Sequence, residues 1–530
     1  MAGKKGSGTR KSGTKGPRKA ARPRRKGGAG ARVAPRPTGG DDSSRWTIAA
    51  AVLVLAVLAL RLGINALELV PVHFDEAQYW AYGQELDWGY FSKPPGVAAV
   101  IRIATDLGGD TLFALRFSSA LAHAAIAAML FLLGRRLFDA ATGFWAATAY
   151  TAAPGVSVSA MIMSTDPVMM VAWAGAMLAW VAATEHGRAR GWWVYWALMG
   201  VLIGLGTHAK YTMLVMPAAA LAYGLFSARG RDWRGTGIAA AAALIVIAPN
   251  LIWNAANSFA TAVHVAEDAD PGHGYFNPGK FAEFAGAQLG VIGPVVFLAI
   301  LAAFWRRRDW IGDWRMRMLA WQTGLLLFAI LALAFLTRAQ PNWAAPAYVA
   351  GSLFAVAWLR QAALGWTLRW QAFLGIVGAV TIYGLGALYA VQAEGLARVA
   401  DPFKKMRVGT PFCDRALAAM GEEGAEVLLS NDRRRLSECM FLGGLGWDEV
   451  AVWHPSGRAQ NHHELVAALS PGDGRRLLLA IMGDAAPIAA AFEDARLVDE
   501  GRFRTHRDRD YPYSLWVVEG FEGYPDGGPG

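Results

Sequence analysis

One stretch concentrates residue types able to move a proton and hold an anion: HFDEAQYWAYGQELDWGYFSKPPG, residues 73–96. Asp75 and Glu76 are adjacent carboxylates, and a carboxylate held at a membrane interface is suited to act as a general base. Lys93, just ahead of Pro94 and Pro95, offers an ammonium to a phosphate that gains charge as it leaves. Each residue also has a plainer reading. The carboxylates suit the positive first turn of a short interfacial helix, and Lys93 suits a snorkelling lysine before a helix start at the prolines. Tyr79, Trp80, Tyr82, Trp88 and Tyr90 fit either the wall of a sugar pocket or an aromatic belt at the bilayer surface. Further polar groups stand where apolar runs begin or end: Ser164-Thr165-Asp166, Thr207-His208-Ala209-Lys210, Arg338-Ala339-Gln340-Pro341-Asn342, and Asn250 with Asn254. Asp166 reads first as an N-cap before Pro167. Lys210 and Arg338 fall on the side where positive residues are disfavoured, which weighs toward function. Tyr79, Tyr90, Asp166, His208 and Asn342 are the candidates for a substrate pocket.

These groups must be positioned by membrane helices. The chain is 54% hydrophobic and carries 22 Trp over 530 residues, too apolar for one ordinary soluble globule. Because a span needs roughly 20 apolar residues, helices are expected near 46–67, 111–133, 141–163, 167–184, 192–207, 211–226, 238–253, 288–304, 318–336, 343–359 and 371–391, about eleven in all. Much of the net charge of +10 lies in residues 1–45, a Gly-, Ser- and Pro-rich tail expected to be disordered and to anchor the chain on cytoplasmic anionic lipid rather than on nucleic acid. Arg135/Arg136, Arg188/Arg190, Arg229/Arg231/Arg234, Arg306–Arg308 and Arg360/Arg369 then all fall on the tail's side. This agrees with the positive-inside rule and puts the candidate groups on the outward face.

An odd number of spans carries everything after residue 391 outside, where the composition becomes soluble. The expected organisation is a cytoplasmic tail (1–45), a membrane domain (46–391) whose first outer loop (68–110) holds the chemistry, and a small periplasmic α/β domain (392–530). Strands are expected at 427–430, 476–482 and 515–519, and helices near 433–441, 463–469 and 485–493. The two cysteines, Cys413 and Cys439, both lie in that domain, as a disulfide or as two buried thiols. No Cys or His spacing suggests a zinc site.

The Asp75-Glu76 loop, SKPPG (92–96), STDP (164–167), AKYT (209–212) and QPNWAAPAY (340–348) resemble the bacterial branch of the C-type glycosyltransferase superfamily. That branch includes protein O-mannosyltransferases and the lipid A aminoarabinose and galacturonic acid transferases. HPSGRAQNHHEL (454–465) resembles the periplasmic tail domain of some members. The resemblance implies a polytopic helical fold of the C type and an inverting glycosyltransferase in the bacterial inner membrane. Its donor would be a sugar on a polyprenyl phosphate, and its acceptor a cell-envelope lipid, glycan or protein. It makes Asp75 the general base and Lys93 the donor-phosphate ligand, with Lys210 and Arg338 assisting by position. Ser92 departs from the aminoarabinose transferases, where an acidic residue often precedes that lysine. The sugar and any divalent cation are therefore left open, and no other cofactor is implied.

A transporter or flippase of lipid-linked sugars is the main alternative. Carriers place ionisable or broken-helix sites near the midplane, and here His123 is one of few ionisable residues deep in an expected span. A non-catalytic assembly or polysaccharide-binding protein would leave the Asp75-to-Lys93 loop without a purpose.

Overall fold

The computed structural model describes residues 40–187, 189–257, 278–337 and 339–524, with isolated positions 6, 8, 9, 259 and 261. Residues 39–530 form one compact unit. Its first part is helical: α1 (Gly40–Ala66), α2 (Phe74–Gln84), α3 (Gly96–Gly108), α4 (Leu112–Leu137), α5 (Ala140–Thr151), α6 (Pro154–Ser159), α7 (Thr165–His186), α8 (Trp192–Ala209), α9 (Val215–Phe226), α10 (Trp233–Ala256), α11 (Pro278–Val291), α12 (Pro294–Trp305), α13 (Trp314–Leu336), α14 (Ala347–Gln361) and α15 (Leu368–Gln392). α1 begins at Gly40, inside the stretch expected to be a disordered tail. Most of that tail lies outside the described residues.

Every expected span corresponds to a helix or a helix pair, and proline explains both pairs. The run at 141–163 breaks at Pro154, which opens α6 because proline is tolerated in a first turn but not in a helix interior. The run at 288–304 becomes α11 and α12, bent by 118°. The turn needs Gly293, whose φ of +94° is unfavourable for residues with a Cβ, and Pro294 then restarts the helix. The Ile292 carbonyl at the break accepts a hydrogen bond from Gln371 Nε2 at 2.8 Å, which satisfies that backbone group in apolar surroundings. Among the described residues six helices, α1, α4, α7, α10, α13 and α15, are long and apolar enough to cross a membrane, or seven crossings if the bent pair is one. The difference from about eleven lies in α5 with α6, α8, α9 and α14, none longer than 18 residues.

The two ends of the bundle differ in chemistry. At one end arginines are tied to acids and carbonyls: Arg136 to Glu185 (2.6 Å), Arg315 to Asp313 (2.6 Å) and to the Leu137 carbonyl (2.8 Å), and Arg360 to Asp139 (3.3 Å). The opposite end holds α2, the start of α7, and the ends of α8 and α10.

The remaining elements are α16 (Gly409–Glu423), β1 (Val427–Ser430), α17 (Arg433–Gly443), β2 (Val450–Val452), α18 (His462–Val466), β3 (Leu477–Ile481), α19 (Ala486–Ala489), β4 (Phe492–His506) and β5 (Arg509–Phe521). The sheet order is β2-β1-β3-β5-β4, with β2, β1 and β3 parallel and β5 antiparallel to both β3 and β4. The helix expected at 485–493 is only the short α19, and Phe492 already starts β4. β4 escapes sequence reading because its charged residues crowd an exposed edge strand. Cys413 and Cys439 are joined by a disulfide between α16 and α17. The β4–β5 turn rests on the segment after α15: Arg507 N–H donates to the Leu396 carbonyl (3.0 Å), and buried Asp401 meets both His506 (3.1 Å) and Arg407 (3.0 Å).

α17 lies against α2, and this packing joins the α/β part to the site. Phe441 meets Trp80 edge-to-face at 5.4 Å, Trp447 Nε1 donates to the Ala81 carbonyl (3.1 Å), and His462 stands edge-on to Tyr82 at 4.8 Å. Burial pushes the imidazole of His462 down to about 4 and that of His463 to about 3. Both rings are thus neutral in the fold, whereas a solvated imidazole titrates near 6.5. Their stabilisation is complete above pH 6.5 and is lost as pH falls toward 4 and 3. Thermal unfolding in detergent should show a loss of about 4 kcal/mol between pH 7 and pH 5, largely absent from His462→Phe/His463→Gln. An equal loss in that double variant would assign the acid sensitivity to other groups.

Candidate active site

α2 is started by an unusual reciprocal cap. The His73 ring Nδ1 accepts the Asp75 N–H (3.1 Å), while the His73 N–H donates to Glu76 Oε2 (2.9 Å). Burial lowers the His73 pKa, keeping the ring neutral and Nδ1 available as an acceptor. The two adjacent carboxylates thereby receive different fates. Glu76 is fully buried; it also accepts the Met163 N–H (2.7 Å) and two hydrogen bonds from Arg116, Nε at 3.0 Å and Nη2 at 2.8 Å. Arg116 further donates to the Val70 (2.8 Å) and Pro71 (2.7 Å) carbonyls, so this pair ties α2 to α4 and to the chain preceding α2. Asp75 takes no part in the cap through its carboxylate, which keeps 41% of its side-chain surface exposed. Capping therefore accounts for Glu76 and leaves Asp75 available.

Asp166 is not an N-cap either. Ser164 occupies that position, and the Asp166 carboxylate joins three segments, accepting from Lys210 Nζ (2.6 Å) at the end of α8 and from Asn342 Nδ2 (3.0 Å) before α14. Beside it, Tyr211 donates to Asn250 (2.8 Å) and accepts from Asn254 (3.2 Å), and Asn250 Nδ2 donates to the Trp88 carbonyl (2.6 Å). The SKPPG turn lies against the end of α8 so closely that a Cβ on Gly96 would stand 2.7 Å from the His208 carbonyl oxygen. Only glycine lets Lys93 and Lys210 be carried on segments in such contact. A cavity of about 460 Å³ runs from Ser164, Asp166 and Asn342 down past His123, Tyr150 and Tyr348.

Four of the five aromatic residues are packed inside the protein. Tyr79, Trp80, Tyr82 and Tyr90 are buried, Tyr90 stacking on Tyr82 at 4.3 Å and donating to the Tyr82 carbonyl (2.7 Å). Burial raises the Tyr90 phenol to about 12, so the ring packs as a neutral donor. Trp88 alone of the five is exposed. His208 is held by its Nε2 contact with the Val246 carbonyl at 2.8 Å. Arg338 lies outside the described residues. Sequence reading missed Arg116 and Arg433. Arg116 was detectable, since an arginine near the start of an apolar span requires a carboxylate. Arg433 carried no signal, because only the packing of α17 brings it to Gln78. Among the described residues no three His, Cys, Asp or Glu side chains gather as a metal would require.

The comparisons with known proteins agree with this fold. A family model described as dolichyl-phosphate-mannose-protein mannosyltransferase matches residues 92–253. The lipid A galacturonosyltransferase RgtD of Rhizobium johnstonii is 32% identical over 431 residues, covering 78% of this chain and 88% of the relative. The chain belongs to the C-type glycosyltransferases. The undecaprenyl phosphate-alpha-4-amino-4-deoxy-L-arabinose arabinosyl transferase of Pseudomonas aeruginosa is 27% identical over 344 residues, 61% of this chain and 60% of that one. The crystal structure of ArnT from Cupriavidus metallidurans bound to undecaprenyl phosphate shares the fold, with a TM-score of 0.59 at 17% identity, over 91% of this chain and 99% of that one. This multi-pass membrane protein is thus a glycosyltransferase, and the carrier alternative falls.

Proposed function

We propose that this transferase moves a sugar from undecaprenyl phosphate to a hydroxyl of a lipid A-class acceptor, at the periplasmic face of the inner membrane, with Asp75 as general base. The observation carrying this reading is the division of carboxylates at one site. Glu76 is matched by Arg116 and Asp166 by Lys210, while Asp75, whose carboxylate lies 3.8 Å from the His73 ring, stays partly exposed. The acceptor oxygen attacks the anomeric carbon as the carbon–oxygen bond to phosphate breaks, inverting the configuration. The acceptor proton goes to Asp75, and polyprenyl phosphate leaves with one added negative charge. Lys93 and Lys210, on touching segments, meet that charge as it forms. The mainly apolar cavity below Asp166 suits the first prenyl units of the carrier.

The test supplies the purified full chain with radiolabelled undecaprenyl-phosphate sugars and, separately, lipid A, other membrane lipid and protein acceptors. Label is expected in lipid A, and Lys210→Met should slow transfer by roughly 10- to 100-fold. Label entering protein alone would overturn the acceptor assignment, and an unimpaired Lys210→Met chain would remove that lysine from the reaction.

A further inference from the structure

A second cavity, of about 510 Å³, lies between α1, the junction of α5 with α6, and α15. Its wall is mainly apolar. Leu60, Ile376 and Val380 line it and are also exposed on the outer surface of the helices, so the cavity opens sideways toward lipid. Into this wall α1 sends Arg61, which is only 4% exposed. The 27 residues of α1 run about 40 Å, against a hydrocarbon core of about 30 Å. Arg61 lies five residues before the end of the helix, close to the edge of that core and at the end of the bundle that carries α2.

Its charge is unmatched within the protein. Of the four buried arginines among the described residues, Arg116, Arg407 and Arg435 are paired with Glu76, Asp401 and Glu438. Arg61 meets no carboxylate among them; its ionisable neighbours are the phenols of Tyr383 and Tyr150 and the ring of His123. Arg61 Nη2 donates to the carbonyl of Thr151 (3.0 Å), the last residue of α5, which lacks a donor within its own helix. The Tyr383 hydroxyl, itself donating to the Ser157 carbonyl (3.3 Å), takes a second hydrogen bond. A guanidinium has five donors, so others remain for a ligand. Thr151 Oγ1, on the same wall, is buried with no hydrogen-bond partner among the described residues. A buried cation and an unused hydroxyl in one lipid-facing wall make a built anion site.

We propose that this cavity binds an anionic phospholipid of the phosphatidylglycerol class, with its phosphate on Arg61 and the Thr151 hydroxyl and its acyl chains along Leu60, Ile376 and Val380. Charge selects the occupant. One guanidinium balances the single charge of a phosphodiester, whereas the phosphomonoester of a polyprenyl carrier would keep unmatched charge among apolar side chains. No carboxylate lines the cavity to receive the ammonium of a zwitterionic lipid. The site adjoins the transfer machinery through Tyr150, which is hydrogen-bonded to His123 (2.8 Å) and lines the cavity assigned above to the prenyl carrier. A lipid held here braces α1 against α15 beside that cavity.

The full chain in neutral detergent is titrated with phosphatidylglycerol, phosphatidylethanolamine or undecaprenyl phosphate, and bound lipid is counted by native mass spectrometry. Phosphatidylglycerol should be retained, one per chain, at concentrations where phosphatidylethanolamine is not. Arg61→Met should weaken that binding by roughly 10- to 100-fold, with Arg61→Lys between. Val380→Trp, which fills the lipid-facing mouth and leaves Arg61 in place, should weaken it as well and carries the test if Arg61→Met does not fold. Equal retention of the two phospholipids, or native affinity in either Arg61→Met or Val380→Trp, would overturn the proposal. So would displacement of phosphatidylglycerol by undecaprenyl phosphate in a Lys93→Met chain, which would give the cavity to the carrier instead.

Discussion

Asp75→Asn is expected to abolish most sugar transfer, by on the order of 10³-fold in kcat, while the protein folds as before and the KM for the polyprenyl-phosphate donor changes little. The size follows from removal of a positioned proton acceptor, which contributes about 10²- to 10⁴-fold in typical general base catalysis. The specificity of the effect follows from the first turn of α2. The contacts that fix this turn run through the Asp75 backbone N–H and the Glu76 carboxylate, not through the Asp75 side chain. An asparagine can keep the same backbone bond and nearly the same shape, yet it cannot accept a proton. Donor binding, assigned to lysines on other segments, should persist. Single-turnover transfer from a labelled donor, alongside a binding isotherm for that donor, separates the two effects. A variant that binds donor normally and transfers it at the native rate would make Asp75 a surface residue of α2 and remove the proposed mechanism.

Much of this was written in the order of residues, and the part that was not has a physical cause. Apolar runs announce helices because each span must satisfy its own backbone in lipid, so α1, α4, α7, α10, α13 and α15 could be read directly. The polar ends of those runs also announced which groups would gather, and Asp166, Lys210 and Asn342 do meet. Roles were harder to read than places. Asp75 and Glu76 are neighbours of the same chemical type, and what separates them is a partner forty residues away on α4 together with the backbone of Met163. The tyrosines of α2 suited a pocket or a belt as single residues; they became core because α17, far along the chain, packs over them. Long-range packing of this kind leaves no period or spacing in the local sequence.

Arg116→Met should do to the fold what Asp75→Asn does to the chemistry. Glu76 is fully buried and Arg116 nearly so. Removing the guanidinium leaves a buried carboxylate without its cation and the Val70 and Pro71 carbonyls without their donor. Breaking one side of a buried, hydrogen-bonded ion pair costs about 3–5 kcal/mol, large against the net stability of a single unit. The expected result is a protein that unfolds at markedly lower temperature in detergent and loses transfer because α2 no longer holds Asp75 in place. Glu76→Gln/Arg116→Met should be less destabilised than Arg116→Met alone, because no uncompensated charge remains and the glutamine can still accept from the His73 or Met163 N–H. A double-mutant cycle on thermal unfolding measures that difference as a coupling energy. Additive effects would mean that the two side chains stabilise the fold independently, and α2 would then owe its position to the aromatic packing of α17 rather than to this pair.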